Sequence, residues 1–199
     1  MKHITSQRNI EKAKAQIAAI KRMLAAEKKK FGEYDDSRGR RYIPPGLYIL
    51  IKDFKGGFAY IKWFQKTFPD DIGLPIFLFE WAVILFKTGQ LKQARRKVME
   101  TYFSNTYLFD VFFRRPLSHI DKYESSNLET MEIADYFKYS HTQPGLEEFS
   151  AWVEEFMQTD DFLKVSTVFI EVQKRLKTET DKETRSYLIR QEKELLDRI

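Results

Sequence analysis

Apolar residues recur along the chain at helical spacing, beginning with a long stretch near the amino end. Its apolar positions are separated alternately by three and four residues: Ile10, Ala13, Ile17, Ile20 and Leu24. This spacing places them on one face of a helix. The helix is predicted to run from Ser6, a suitable N-cap, to about Phe31, with Gly32 as its stop.

The most apolar stretch, from Ile72 to Tyr102, predicts a helical hairpin. An apolar run is followed by a break at 87–89 and then by a more polar helical run. The apolar run is shorter than the ~20 residues that a membrane span needs and contains Pro75 and Glu80, so we expect a core helix. A buried Glu80 is expected to pair with an arginine or a hydroxyl; the alternative is a general acid with a raised pKa.

Helices are also expected on both sides of this hairpin. The stretch 47–69 predicts a shorter hairpin whose turn is formed by Lys55, Gly56 and Gly57. Later helices are expected within 104–116, after a Ser126 cap through 128–137, at 146–157, from Asp160 or Asp161, and at 180–199. No stretch alternates in the manner of a strand. The prediction is an all-α protein of eight or nine helices.

The central hairpin resembles a tetratricopeptide repeat, a helix-turn-helix unit of ~34 residues. The matching positions are Leu78, Trp81, Ala82 and Leu85 in the first helix, Gly89 at the turn, and Ala94 and Val98 in the second helix. Ala59 and Trp63 repeat the second-helix signature 35 residues before Ala94. The chain departs from the family pattern at Thr106, where a proline is usual, and Trp81 is shifted by three positions from the family tryptophan.

The resemblance implies an architecture and a binding groove. Helical hairpins would stack as a short tetratricopeptide-like array, with a long N-terminal helix and C-terminal capping helices. In the family, residues of the first helices line a groove that holds a peptide. The corresponding groove candidates here are Tyr48, Lys52, Phe79, Val83 and Lys87. For Phe79 and Val83, a place in the core is an equal alternative.

Positive charge is concentrated in the first 45 residues. They contain 12 Lys or Arg and 5 Asp or Glu, whereas the rest of the chain contains 22 and 24. We therefore divide the chain into 1–45, a basic N-terminal helix with an Arg-rich loop, and 46–199, a helical repeat-like domain. The basic part is suited to an acidic partner such as nucleic acid or an acidic protein face; alternatively, it is the solvated face of a surface helix.

Three arginines lie close together in the loop that follows the first helix. Arg38, Arg40 and Arg41 are candidates for a phosphate or other anion site, since guanidinium groups bind such groups in a two-pronged manner. Internal pairing with Asp35 and Asp36 is the alternative.

The sequence contains no pattern that predicts catalysis, a metal site or a cofactor. Cysteine is absent, and His3, His119 and His141 have no spacing typical of metal ligands. No phosphate-binding glycine loop or nucleophile elbow is present. The segment 1–10 has no apolar signal core, and the absence of cysteine suits a reducing compartment, so we expect a cytoplasmic protein.

Three functions remain open. The first is a non-catalytic protein–protein interaction module or adaptor that binds a protein segment. The second is nucleic-acid binding through the basic N-terminal region, which would weaken steeply with salt. The third is an enzyme whose site is not visible in the sequence. We expect no membrane partner, and self-association through the narrow apolar stripe of the first helix is a further candidate interaction.

Overall fold

The computed structural model describes residues 6–34, 36–134 and 136–198. This part of the chain contains α-helices and short 3-10 turns but no β-strand, which confirms the all-α class. The helices are α1 (Gln7–Phe31), α2 (Pro44–Leu50), α3 (Phe54–Thr67), α4 (Pro75–Lys87), α5 (Leu91–Ser104), α6 (Leu108–Phe113), α7 (Met131–Ala134), α8 (Glu147–Met157), α9 (Asp160–Thr178) and α10 (Lys182–Leu195). The 3-10 turns are Arg40–Tyr42, Asn127–Glu129 and Leu196–Arg198.

The helices fall into two compact units. Unit 1 is Met1–Gln90 and contains α1 to α4; unit 2 is Leu91–Ile199 and contains α5 to α10. The division lies in the turn between α4 and α5, so the two arms of the predicted central hairpin belong to different units. The expected boundary between 1–45 and 46–199 lies inside unit 1.

Helix α1 confirms the predicted bounds at both ends. The Ser6 side chain accepts a hydrogen bond from the Asn9 amide at 3.3 Å, and Gly32 ends the helix in the left-handed conformation with φ 79°. Most of the apolar stripe is buried, and Ile17 packs in one cluster with Tyr48 and Tyr60. The stripe is therefore covered by its own chain, and self-association through α1 would have to use the other faces of the helix.

The turn between α2 and α3 differs from the prediction. Lys52 takes the left-handed conformation with φ 58°, and the Asp53 carboxylate accepts a hydrogen bond from the Gly56 amide at 2.9 Å. This cap starts α3 at Phe54, so Gly56 and Gly57 lie in its first turns. The prediction that they form the turn is wrong because the cap at Asp53 satisfies the backbone donors that begin a helix.

Unit 1 is built around α2, which packs against α1, α3 and α4; α3 also packs against α4. Close approach of these helices depends on Gly57. A Cβ atom at this position would lie 2.9 Å from Ile84 Cδ1 and 3.2 Å from Tyr48 Cβ. Ala59, the small residue of the repeat signature in this helix, is exposed. The small residue on which this packing depends thus lies two positions before Ala59.

Unit 2 is built around α9, which packs against α5, α8 and α10. The predicted start of α9 is confirmed, and its apolar face is buried: Phe162, Val165, Phe169, Val172 and Leu176. In α10 the predicted apolar positions Leu188 and Leu195 are also buried.

The helix expected through 128–137 is interrupted. Ser126 caps only the 3-10 turn, Thr130 is extended, and α7 begins at Met131. The buried Asn105 side chain donates hydrogen bonds at 2.9 Å to the carbonyl oxygens of Leu128 and Thr130. These carbonyls would bond within the helix if it were continuous. A long-range contact therefore replaces the helix that the local pattern predicts.

Candidate functional site

Arg41 is held within unit 1 by two carboxylates. Its Nε atom donates to Asp71 Oδ2 at 2.7 Å, and Nη1 lies 3.2 Å from Oδ2 of Asp36, which is only 7% exposed. Internal pairing with Asp36, one of the two alternatives for the arginine loop, is thus observed. Asp35 lies outside the described residues. Asp71 is a second partner, 30 residues away in sequence.

Tyrosines complete the network around this pair. The Tyr42 hydroxyl donates to Asp71 at 2.8 Å, and the Tyr60 hydroxyl donates to the Arg41 carbonyl at 2.8 Å. Burial, together with the hydrogen bond to Asp71, raises the pKa of Tyr42 to about 12. Burial opposes ionisation of Asp71, but hydrogen bonds from Tyr42, Arg41 and the Gly73 amide outweigh it and lower its pKa. We call this network of Arg41, Asp36, Asp71, Tyr42 and Tyr60 the clamp, because it holds the Arg41 side chain in place.

The three arginines do not converge on one point. The Arg40 amide donates to Asp36 Oδ1 at 2.9 Å, while its side chain contacts the Met23 sulfur. Arg38 is exposed to solvent. Since Arg41 is engaged by Asp36 and Asp71, the loop does not present the three guanidinium groups together to an anion.

The groove candidates lie in different environments. Tyr48, Phe79 and Val83 are buried, and the latter two are completely inaccessible. Lys52 is exposed at the turn before α3, and Lys87 is half-buried at the end of α4. For Phe79 and Val83 the structure therefore shows the core placement. Glu80 is also buried, at 7% exposure, as the apolar run predicts.

A cleft with an aromatic floor opens on the surface of unit 1. It has a volume of about 560 Å³ and is formed by Lys28, Glu33, Tyr34, Trp63, Lys66, Thr67 and Phe68. We call this surface the aromatic cleft. The lysines come from the last turns of α1 and α3, where positive charge is favoured by the helix dipole.

The three rings of the floor contact one another. Their centroids are 5.8 Å apart for Tyr34 and Trp63, 5.4 Å for Tyr34 and Phe68, and 5.8 Å for Trp63 and Phe68. These are separations of packed aromatic pairs, so the rings form a continuous apolar surface. A cage around a cation would need them further apart, because the cation itself would have to lie between the faces.

The clamp and the aromatic cleft are connected through Phe68. The Arg41 guanidinium carbon lies 5.1 Å from the centroid of the Phe68 ring and 4.4 Å from that of Tyr42. Arg41 thus packs on one ring of the floor while Asp36 and Asp71 hold it in place. The arginine loop contributes to the site by supporting Phe68.

The aromatic cleft was not predicted from the sequence. Trp63 was expected only as part of the repeat signature, and neither Tyr34 nor Phe68 was among the candidate residues. The available signal was that α1 and α3 each end in basic residues close to an aromatic side chain. Only the tertiary fold brings these two ends together.

The described residues contain no group of three or more His, Asp or Glu side chains that could hold a metal ion. None of their helices has both the length and the hydrophobicity that a bilayer span requires. No protein-family model, curated protein or solved structure matches the chain.

Proposed function

We propose that the chain is a non-catalytic helical module that binds a segment of another protein, and that the aromatic cleft of unit 1 is its contact surface. The observation that carries this proposal is a floor of three adjoining aromatic rings, each half-buried, between two lysines. Aromatic side chains dominate the energetics of protein interfaces, and a ring that is already packed loses little freedom on binding.

The shape of the aromatic cleft suits an apolar side chain of a partner. Tyr34, Trp63 and Phe68 together give a concave apolar surface open to solvent. A phenylalanine or leucine could rest on these rings and remove apolar area from water on both sides, which is the main favourable term of such contacts. The polar residues at the rim of the aromatic cleft would then hold the partner's backbone on either side of that apolar side chain, which serves as its anchor.

The charge of the residues that line the aromatic cleft indicates which residues of the partner should flank its apolar side chain. Lys28 and Lys66 line the aromatic cleft together with one carboxylate, Glu33, which leaves a net positive rim. Further positive charge comes from Lys29 and Lys30 in the same last turn of α1. We therefore propose an acidic segment with an apolar anchor as the ligand, since complementary charge speeds association and selects partners.

The tetratricopeptide-like arrangement is part of this proposal for unit 1. Its support is that α2 packs against both α3 and α4, while α3 packs against α4. Stacked hairpins require this kind of mutual contact among consecutive helices. We place the ligand at the aromatic cleft rather than along Tyr48, Phe79 and Val83 because the latter side chains are buried.

The test uses a fluorescein-labelled peptide with a phenylalanine–leucine pair flanked on each side by two acidic residues. Fluorescence anisotropy should show saturable binding to the full chain. The double variant Lys28→Glu/Lys66→Glu should raise the Kd roughly tenfold, which corresponds to about 1.4 kcal/mol for two reversed charges. Tyr34→Ala should also weaken binding, because it removes one ring of the floor.

The matched control is Lys21→Glu/Lys62→Glu, which changes the same charge on the same two helices at exposed positions outside the aromatic cleft. It should leave the Kd unchanged. Equal loss in both double variants would show that only general charge matters and would contradict the proposal. A labelled oligothymidylate should bind more weakly than the peptide. If it binds more tightly and with a steep salt dependence, the site is a nucleic-acid surface instead.

A further inference from the structure

A second, more enclosed pocket lies within unit 2. It has a volume of about 290 Å³, near the lower end of small-ligand sites. The residues that line it come mainly from α5, α6, α8 and α9: Tyr102, Thr106, Phe109, Asp110, Arg115, Ile120, Glu154, Met157, Gln158, Phe162, Leu163 and Ser166. We call it the α6 pocket. It plays no part in the proposed peptide contact.

Asp110 provides a half-buried carboxylate at this pocket. Burial raises its pKa, and the charge of Arg115 only partly opposes that effect. Arg115 itself is paired with the other carboxylate of the lining, because its Nη2 atom donates to Glu154 Oε1 at 3.0 Å. Among the described residues no side chain or amide donates a hydrogen bond to the Asp110 carboxylate. The carboxylate is therefore partly desolvated and weakly compensated.

Thr106 provides a buried hydroxyl at the same pocket. The residue is 4% exposed, and its Oγ1 atom has no hydrogen-bond partner among the described residues. Buried hydroxyls are almost always satisfied, so such an atom in a pocket wall is informative. Thr106 precedes Asp110 by four residues, about one helical turn, and the chain is already helical at Tyr107. This spacing puts the hydroxyl and the carboxylate on the same side of α6.

The remaining walls are largely apolar and aromatic. Phe109, Phe162, Met157 and Leu163 line the pocket, and the Tyr102 and Phe162 rings pack edge to face with centroids 5.4 Å apart. Burial, together with the negative charge of Asp110, raises the pKa of Tyr102 to about 12. The neutral phenol and the aromatic faces suit a ligand with an apolar body and a positive group.

We propose that the α6 pocket binds a small organic ammonium ion, which pairs with the Asp110 carboxylate, donates a hydrogen bond to Thr106 Oγ1 and rests its apolar body on Phe109 and Phe162. The lining carries two carboxylates and one guanidinium, so a cation is favoured over an anion. A metal ion is a poor occupant, because calcium or magnesium requires several oxygen ligands, whereas Glu154 is already paired with Arg115.

The test compares three probes of similar size: 2-phenylethylamine, 2-phenylethanol and 3-phenylpropanoate. Each is titrated into the full chain near neutral pH and followed by amide chemical shifts. The amine should shift the amides of α6 and the first turns of α9 in a saturable manner. The alcohol should bind at least fivefold more weakly, and the carboxylate should not bind at the same residues.

Asp110→Asn should weaken amine binding at least tenfold while leaving the weak alcohol binding unchanged. Thr106→Val, which keeps the shape of the side chain, should weaken amine binding severalfold. Glu155→Gln is the matched control, because Glu155 is exposed on α8 and does not line the α6 pocket. A thermal melt of each variant confirms that it is folded. Equal binding of amine and alcohol, or full binding by Asp110→Asn, would overturn the proposal.

Discussion

Arg41 donates from Nε to Asp71 Oδ2 at 2.7 Å, and this contact joins the loop after α1 to the connection between α3 and α4. Asp71 also accepts from the Tyr42 hydroxyl and, at 2.8 Å, from the Gly73 amide. Gly73 has φ 79°, a conformation that glycine adopts without the strain of a side chain. One carboxylate therefore fixes two loops and, through Arg41, the Phe68 ring of the aromatic cleft.

This arrangement predicts a loss of stability in acid that depends on Asp71. Its pKa in the folded protein lies below its usual value of 3.8, so the ionised form is favoured by folding. The contribution is present at pH values above the unfolded pKa and is lost as pH falls through the folded pKa. Asp71→Asn should lower the free energy of unfolding at neutral pH by about 2 kcal/mol, since it removes charge-assisted hydrogen bonds.

Urea unfolding of the wild type and the variant from about pH 6 to about pH 2 checks this expectation. The difference between them should shrink in acid, because protonation removes the same charge that the substitution removes. Asp70→Asn is the control, since Asp70 is exposed beside Asp71. A constant difference across the whole pH range would show that Asp71 acts through packing and not through its charge.

The pKa of Glu192 in unit 2 is shifted in the opposite direction to that of Asp71. Its carboxylate accepts a hydrogen bond from Gln173 Nε2 at 2.8 Å, yet burial raises its pKa above the usual 4.5. The negative charge of Glu129 adds to the shift. Folding therefore favours the protonated form, and the associated stability is present below the unfolded pKa and is lost as pH rises through the folded pKa.

Glu192→Gln should stabilise unit 2 at neutral pH by about 1 kcal/mol, because it removes a partly buried charge and keeps an oxygen for Gln173. Its advantage over the wild type should disappear near pH 4, where the wild-type carboxyl is protonated. Chemical denaturation at both pH values measures this. Glu194→Gln, at an exposed site on the same helix, is expected to have no comparable effect. If Glu192→Gln is less stable than the wild type, neighbouring groups compensate the charge of Glu192 and the prediction is wrong.

Local patterns predicted the parts of the fold that depend on neighbouring residues. The Ser6 cap, the Gly32 stop and the apolar face of α9 all arise from contacts within a few positions, and each is observed. The continuous helix after Ser126 was not observed, because Asn105 uses its carbonyl groups from more than 20 residues away. No periodicity in the sequence encodes such a contact.

The candidate sites were harder to predict for the same reason. Arg41 was recognised, but its partner Asp71 belongs to the connection after α3. The aromatic cleft needs the ends of α1 and α3 to lie side by side, and the α6 pocket needs four helices. The sequence shows which residue types lie at the helix ends, but it does not show which ends meet.

The packing of α2, α3 and α4 gives a prediction about which small residue of α3 allows the helices to approach closely. Ala59 is the small residue of the repeat signature in α3, whereas the structure places Gly57 at the close contact. Gly57→Leu should destabilise unit 1 by about 2 kcal/mol despite the better helix propensity of leucine, because the side chain would overlap Ile84 and Tyr48. Ala59→Leu should change stability by less than about 0.5 kcal/mol, since surface substitutions rarely do more.

Thermal and urea unfolding of both variants measure the difference, and circular dichroism confirms that helix content is retained. A third variant, Gly57→Ala with Ile84→Val, tests the cause directly. The Cδ1 atom that approaches position 57 at 2.9 Å is absent from valine, so the shortest contact of the added methyl group is removed. This double variant should therefore be more stable than the sum of its two single changes predicts. If Ala59→Leu proves the more damaging substitution, the contact between α3 and its neighbours follows the repeat register after all, and the assignment of Gly57 is wrong.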